Sequence, residues 1–190
     1  MFRISNFTKN KYVIFGIVVI WIILSRFYDV YSTFRFTPSL DLEANPLISK
    51  FNFGWATLIG INVLISGYAI ILFYKICFSK PLKLPTTYGL NYVDFLPHLF
   101  LGRSDHWLAI FYKLPKTFEH FQLLLGYLLP IIVSFVGVVT SLMWSLIFYT
   151  NYYHTYYKGY QVAIIIVLGI IILIVLWSKF MYSKYKNQFF

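Results

Sequence analysis

The sequence has little charge, few acidic residues and a single cysteine. Charged residues make up 12% of the 190 residues, about half the share that soluble domains carry, and this excludes the soluble globular class. Because Cys77 has no second cysteine to pair with, an internal disulfide scaffold is excluded as well. The sequence also lacks nucleotide-binding, zinc-binding and catalytic-triad motifs, so we predict no metal, no cofactor and no catalytic residue.

Basic residues outnumber acidic residues, but they do not form a nucleic-acid-binding pattern. The chain has 16 Lys and Arg against 6 Asp and Glu, which gives a formal net charge of +10. The basic residues are spread along the sequence instead of being concentrated on one element, and this argues against a nucleic-acid partner. The partner that the composition predicts is the lipid bilayer.

Hydrophobic residues, which make up 59% of the chain, are concentrated in four long runs. A helix rises about 1.5 Å per residue, so roughly 20 apolar residues cross a hydrocarbon core of about 30 Å. The runs predict transmembrane helices over residues 12–31, 53–74, 121–149 and 160–180. We therefore expect an all-α, polytopic membrane protein with one transmembrane domain over residues 1–190. The first alanine is Ala44, so no small-residue cleavage site follows the first run, and we expect a retained signal anchor.

The distribution of basic residues predicts which way the chain crosses the membrane. Twelve Lys and Arg lie in the N-terminus, between the second and third spans and in the C-terminal tail, whereas four lie elsewhere. Cytoplasmic flanks accumulate basic residues. We therefore predict that both termini are cytoplasmic.

The segment of residues 79–120, between the second and third spans, is too long for a turn. It contains two short apolar runs, FLPHLFLG and SDHWLAIFYK, which basic residues flank. We expect a short helix over residues 107–113, with Ser104 or Asp105 as its N-cap. The pattern predicts an amphipathic, interfacial helical segment that lies in the headgroup plane.

The strongest candidate site lies at the end of the first span and in the loop after it. Asp29 should lie just inside the outer edge of the hydrocarbon, and Arg26, one turn earlier, is its predicted ion-pair partner. Thr33 shares a helix face with Asp29, and Glu43 and Asn45 follow in the loop. Ionisable groups this close to lipid indicate a ligand-binding, ion-binding or catalytic site by default. The alternative is a structural cluster that pins the loop to the end of the helix.

Small residues follow one face of the third predicted span. Such residues let helix backbones approach closely inside a bilayer, and hydroxyl groups can hydrogen-bond between helices. We predict a helix-packing face, with a polar lining for a permeation path as the alternative. The residues of this face are Ser134, Gly137, Ser141 and Ser145.

The second predicted span contains one amide near the middle of the membrane. Asn62 lies one turn before Ser66. A side-chain amide in hydrocarbon needs a hydrogen-bonding partner, so we expect this edge of the helix to face protein. An interhelical hydrogen bond is the favoured interpretation, and contact with a substrate is the alternative.

The pattern D-x-x-S-T beginning at Asp29, followed by E-x-N-P-L beginning at Glu43, resembles a group of small prokaryotic membrane proteins with no assigned function. The resemblance covers residues 12–75. In that group the aspartate ends one transmembrane helix, and the acidic Asn-Pro segment leads into the next. Members often have a lysine in the following helix, where this chain has Asn62. The resemblance implies that Asp29, Thr33, Glu43 and Asn45 act as a unit, and it implies no activity. It also implies that the protein lies in the inner, cytoplasmic membrane of a cell.

Two classes of function remain open at the level of sequence. The first is a non-catalytic accessory or structural subunit of a larger membrane complex, whose partners are other subunits or copies of itself. The second is an intramembrane enzyme or an ion or solute transporter that uses Asp29, Thr33, Glu43 and Asn45. The absence of catalytic motifs favours the first.

Overall fold

The computed structural model describes residues 11–41, 53–79, 82–150 and 159–189. They form α-helices and one short 3-10 helix (Trp107–Phe111), without strands. The helices are α1 (Lys11–Phe36), α2 (Trp55–Phe78), α3 (Tyr92–Leu101), α4 (Phe118–Tyr149) and α5 (Gly159–Lys186). Four of them, α1, α2, α4 and α5, are long and apolar enough to cross a membrane. The prediction of an all-α membrane protein with four such helices is confirmed.

Helix α1 is longer than the predicted span, because it continues from residue 31 to Phe36. Within this extension the Ser32 hydroxyl donates to the Asp29 carbonyl over 2.9 Å, so the hydroxyl is satisfied by its own helix. Pro38 follows the end of the helix, and a proline disfavours helical conformation at the residue before it. The polar residues after Asp29 therefore belong to the helix and not to the loop.

Helices α4 and α5 also extend beyond the predicted spans. Helix α4 begins three residues early, at Phe118, because the Thr117 side chain caps it by accepting a hydrogen bond from the His120 N–H. Helix α5 continues to Lys186 because Met181 and Tyr185 are buried against the α3 region. Helix α2 is displaced toward its C-terminus, since it starts after Gly54 and ends at Phe78.

Helix α4 is the central helix, in contact with α1, α2 and α5. Two of its glycines allow the backbones of neighbouring helices to come close. A Cβ atom added at Gly137 would lie 2.8 Å from the Ser25 carbonyl oxygen of α1, and one at Gly126 would lie 2.8 Å from the Leu72 carbonyl oxygen of α2. Larger residues at these positions would push α1 or α2 away from α4.

A compact apolar cluster lies at the end of the bundle that holds α3, here called the α3 end. The start of α1, the end of α2, the start of α4 and the end of α5 all meet there. Tyr185, which is 2% exposed, donates its hydroxyl to the Thr87 carbonyl over 2.6 Å and accepts from the Leu90 N–H over 3.0 Å. The Tyr182 hydroxyl donates to the Leu90 carbonyl. These bonds tie the end of α5 to the segment before α3.

The helix expected over residues 107–113 is shorter than predicted and is a 3-10 helix. Residues Trp107–Phe111 form a 3-10 helix, and its N-cap is His106, whose side chain accepts from the Leu108 N–H. Asp105 does not cap it because its carboxylate accepts bonds from the Lys113 ammonium group and the His106 N–H instead. The prediction of Ser104 or Asp105 as the cap was therefore wrong.

Candidate functional site

Arg26 of α1 joins three helices inside the bundle. Its Nε and Nη2 atoms donate to the Val133 carbonyl of α4 over 3.1 and 2.7 Å. Its Nη1 atom donates to Asp29 Oδ2 and to Asn62 Oδ1 of α2, each over 3.0 Å. These bonds use four of the five N–H donors of a guanidinium group. Asn62 also donates to the Leu58 carbonyl of its own helix.

Asp29 receives hydrogen bonds at both carboxylate oxygens. Oδ2 faces Arg26 in the ion pair, and Oδ1 accepts from the Thr140 hydroxyl of α4. The residue is buried. A carboxylate in hydrocarbon is costly unless it is paired and hydrogen-bonded, and here both conditions hold. We call Arg26, Asp29, Asn62, Thr140 and the Val133 carbonyl the Arg26 network.

The Arg26 network forms next to a close approach of α1 and α4. Gly137 of α4 has no side chain to separate the helices at Ser25, which directly precedes Arg26 in the sequence. A carbonyl oxygen has two lone pairs, so the Val133 carbonyl can accept from Arg26 without losing its helical hydrogen bond. Gly137 of α4 thus brings α1 close enough for Arg26 to bond the Val133 carbonyl.

Thr33 lies one turn beyond Asp29 and makes a separate buried contact. Its hydroxyl accepts a hydrogen bond from the Trp144 indole N–H of α4 over 3.0 Å. Trp144 is 1% exposed, so its indole nitrogen needs a partner inside the protein. The structure therefore engages Thr33 with α4. Glu43 and Asn45, the loop residues of the predicted site, lie outside the described residues.

The small residues of α4 lie on the side that contacts α1. Ser134, Gly137 and Ser141 are buried, and Ser145 is partly buried. The Ser141 hydroxyl donates to the Gly137 carbonyl over 2.7 Å and the Ser145 hydroxyl to the Ser141 carbonyl over 3.0 Å. Both hydroxyls are thus satisfied by their own helix, and the polar contacts between α1 and α4 come from other residues.

Three contributors to this site were missed at the level of sequence. Thr140, Trp144 and the Val133 carbonyl supply the bonds from α4 to Arg26, Asp29 and Thr33. Helical spacing was the available signal, because Thr140 lies three residues after Gly137 and Trp144 three residues after Ser141. No pattern in the sequence identifies a backbone carbonyl as a partner for arginine.

The geometry determines what this site can do chemically. The Asp29 carboxylate is engaged at both oxygens, and the Arg26 guanidinium group is held by α1, α2 and α4. A substrate or ion would have to displace an internal bond to reach either charge. As it stands, the Arg26 network fixes the positions of three helices. A scan against protein-family models and searches of the curated proteins and of the solved structures each find no match to this chain.

Proposed function

We propose that this protein is a non-catalytic accessory or structural subunit of a larger membrane complex, and that α1 docks against a transmembrane helix of another subunit. The observation that carries this proposal is Trp21. Its side chain is 55% exposed on α1, and no residue in the described part of the chain accepts a hydrogen bond from its indole N–H. The other subunit would supply the acceptor.

The depth of Trp21 makes its indole N–H informative. Trp21 lies ten residues after Lys11, about 15 Å along the helix, which is half of a hydrocarbon core of about 30 Å. Tryptophan is enriched at membrane interfaces, where its N–H can reach water or headgroups. Lipid tails at the mid-plane offer no acceptor, whereas a carbonyl or hydroxyl group of a partner helix does.

The Arg26 network supports a structural role in this proposal. It fixes the rotation of α1 relative to α2 and α4, and so holds the Trp21 side of α1 outward. The alternative is an intramembrane enzyme or transporter that uses Asp29, Thr33, Glu43 and Asn45. It ranks second because Asp29 and Thr33 already have partners within the chain.

We further propose that the α3 end faces the cytoplasm, with residues 79–120 at the membrane surface and the protein in the inner membrane of a prokaryotic cell. Arg35 is the basic residue at the opposite end among those described, and cytoplasmic flanks collect positive charge. The basic residues described at the α3 end are Lys11, Lys75, Lys83, Arg103, Lys113, Lys116, Lys179, Lys184 and Lys186.

Photo-crosslinking in native membranes tests the subunit proposal. A benzophenone amino acid would replace Trp21 in one variant and Ile172 of α5 in another. Ile172 is also exposed, and it lies seven residues, about 10 Å, from Lys179, so it serves as an exposed control within the apolar part of α5. We expect a discrete protein adduct from position 21 and lipid adducts from position 172. Lipid adducts alone at both positions would contradict the proposal.

A pair of tryptophan variants tests the role of the indole N–H. Trp21→Phe keeps an aromatic ring but removes the donor, so we expect it to reduce recovery of the partner after extraction in mild detergent. Trp55→Phe is the matched control, because the Trp55 indole donates to the Pro38 carbonyl within the chain over 2.8 Å. A monomeric particle from the unsubstituted protein, with Asp29→Asn abolishing a transport or enzyme activity at normal protein level, would favour the alternative.

A further inference from the structure

A second exposed apolar surface lies in residues 103–118, which run up to the first residue of α4 and are here called the Trp107 loop. The loop is anchored by Ala109, which is fully buried. Around it, Phe111 is 79% and Leu114 is 84% exposed. Large apolar side chains grouped on a surface indicate that another phase or molecule covers them. The exposed residues of this group are Trp107, Leu108, Phe111, Tyr112, Leu114 and Phe118.

The position of the Trp107 loop along α4 places it at the level of the lipid headgroups. Lys75 of α2 donates to Gln122 Oε1 of α4 over 2.7 Å, and this polar pair marks the end of the hydrocarbon on the two helices. Phe118 is four residues, about 6 Å, beyond Gln122. The headgroup layer is about 5–7 Å thick on each side of the hydrocarbon, so the point at which the loop joins α4 falls within that layer.

The charge of the Trp107 loop favours an anionic surface. Lys113 Nζ lies 2.8 Å and Arg103 Nε 3.5 Å from Asp105 Oδ2, so two basic groups share one carboxylate. Lys116 adds a third positive charge, and its backbone N–H donates to the Leu101 carbonyl over 2.7 Å, which closes the base of the loop. Exposed aromatic residues next to excess basic charge are typical of segments that bind anionic lipid.

We propose that the Trp107 loop inserts its apolar side chains into the headgroup layer and binds anionic phospholipid headgroups through Arg103, Lys113 and Lys116. Asp105 competes with the lipid phosphate for Lys113 and thereby limits the affinity. This inference rests on the membrane placement of the α3 end proposed above, but it does not require a partner on α1. Its tests use the purified protein in bilayers of defined lipid, so its failure would leave the subunit proposal standing.

Depth measurement tests the insertion. On a Cys77→Ala background, Phe111→Cys and Leu114→Cys would each carry an NBD fluorophore in phosphatidylcholine nanodiscs. Tyr88→Cys is the control, because the Tyr88 ring contacts Phe189, beyond the end of α5. We expect quenching by doxyl-labelled lipid at 111 and 114, and quenching by aqueous iodide at 88. Iodide quenching at all three positions would overturn the proposal.

Lipid preference tests the charged part of the proposal. Native mass spectrometry would compare bound phosphatidylglycerol with bound phosphatidylcholine in equimolar mixtures. We expect about a fivefold loss of preference per lysine in Lys113→Gln and Lys116→Gln, and an increase in Asp105→Asn. Lys184→Gln and Lys186→Gln, which remove equal charge at the same end of the bundle, should leave the preference unchanged. An equal loss in the two pairs, or no loss in either, would overturn the specific role of the loop.

Discussion

Helices α1 and α5 are both peripheral to α4, but they are held in different ways. Helix α1 is fixed inside the membrane by the Arg26 network and by the close approach at Gly137. The membrane part of α5 contacts α4 through apolar groups, such as Gly169 against the Phe135 ring, and the hydroxyls of Tyr182 and Tyr185 tie its end to the segment before α3. Polar bonds therefore set the position of α1 from within the bilayer and that of α5 from outside it.

This difference indicates what each helix can be used for. Lipid tails do not compete for hydrogen bonds, so a polar tie inside the membrane fixes both the rotation and the depth of a helix. Apolar contacts specify the rotation of a helix less strongly, because lipid tails are as apolar as the side chains that they would replace. A helix with fixed rotation can present one side to a partner, and α1 is the helix that carries Trp21.

The largest effect should come from breaking the ion pair on one side only. Arg26→Ala leaves Asp29 charged and without its partner near lipid, and we expect a loss of about 3–5 kcal/mol in the free energy of unfolding. The double variant Arg26→Met with Asp29→Asn removes both charges and should lose less. Unfolding in mixed micelles with increasing SDS measures both losses.

A control on the same helix removes an arginine that lies outside the Arg26 network. Arg35 is exposed at the end of α1, so Arg35→Ala should change the free energy of unfolding by less than 1 kcal/mol, about the effect of an ordinary surface substitution. If the Arg26→Ala variant and the double variant lose equal amounts, the pairing of Arg26 with Asp29 does not stabilise the fold.

A smaller effect should follow from adding one methyl group between α1 and α4. Gly137→Ala places a Cβ 2.8 Å from the Ser25 carbonyl oxygen, and the resulting overpacking should cost about 1–3 kcal/mol. Gly16→Ala is the matched control, since a Cβ at Gly16 meets nothing within 4 Å. The same SDS titration compares them, and equal stability of the two variants would mean that α1 and α4 do not approach closely at Gly137.

The attachment of α5 at the α3 end should be weaker than that of α1 but measurable. Tyr185→Phe removes the hydroxyl that bonds Thr87 and Leu90, and the loss of these part-buried hydrogen bonds should cost about 0.5–1.5 kcal/mol each. We expect faster hydrogen exchange in residues 82–91 and unchanged exchange around Arg26. Tyr182→Phe, which removes one bond in place of two, should have a smaller effect. Equal exchange in both variants and the unsubstituted protein would contradict this attachment.

The sequence was sufficient to predict the four long helices, because about 20 apolar residues in a row have few other stable structures in a cell. It did not predict where they end. Helix α5 continues to Lys186 because Tyr185 packs against residues about 90 positions earlier, and no local signal encodes such a contact. Likewise, the N-cap at His106 depends on Lys113 having engaged the Asp105 carboxylate.

The candidate site was predictable in its α1 half and not in its α4 half. Charged residues are rare inside apolar runs, so Arg26 and Asp29 could be identified from sequence alone. Thr140 and the Val133 carbonyl are ordinary groups in an apolar helix, and they became partners only because Gly137 brings α1 close. The charged residues can therefore be predicted from their depth in the membrane and their helical spacing. Their hydrogen-bonding partners are determined by tertiary packing.

The smallest predicted effect concerns the Trp107 loop at low pH. The hydrogen bonds from Lys113 and from the His106 N–H lower the pKa of Asp105 below its ordinary value of 3.8. A carboxylate with a lowered pKa stabilises the folded loop above that ordinary value, and the stabilisation is lost as the pH falls through the folded-state pKa. We therefore expect the NBD signal at Leu114→Cys to change as the pH falls below that ordinary value. The change should vanish when Asp105→Asn is added, because no group then titrates against Lys113, and a change that persists would assign the transition to another group.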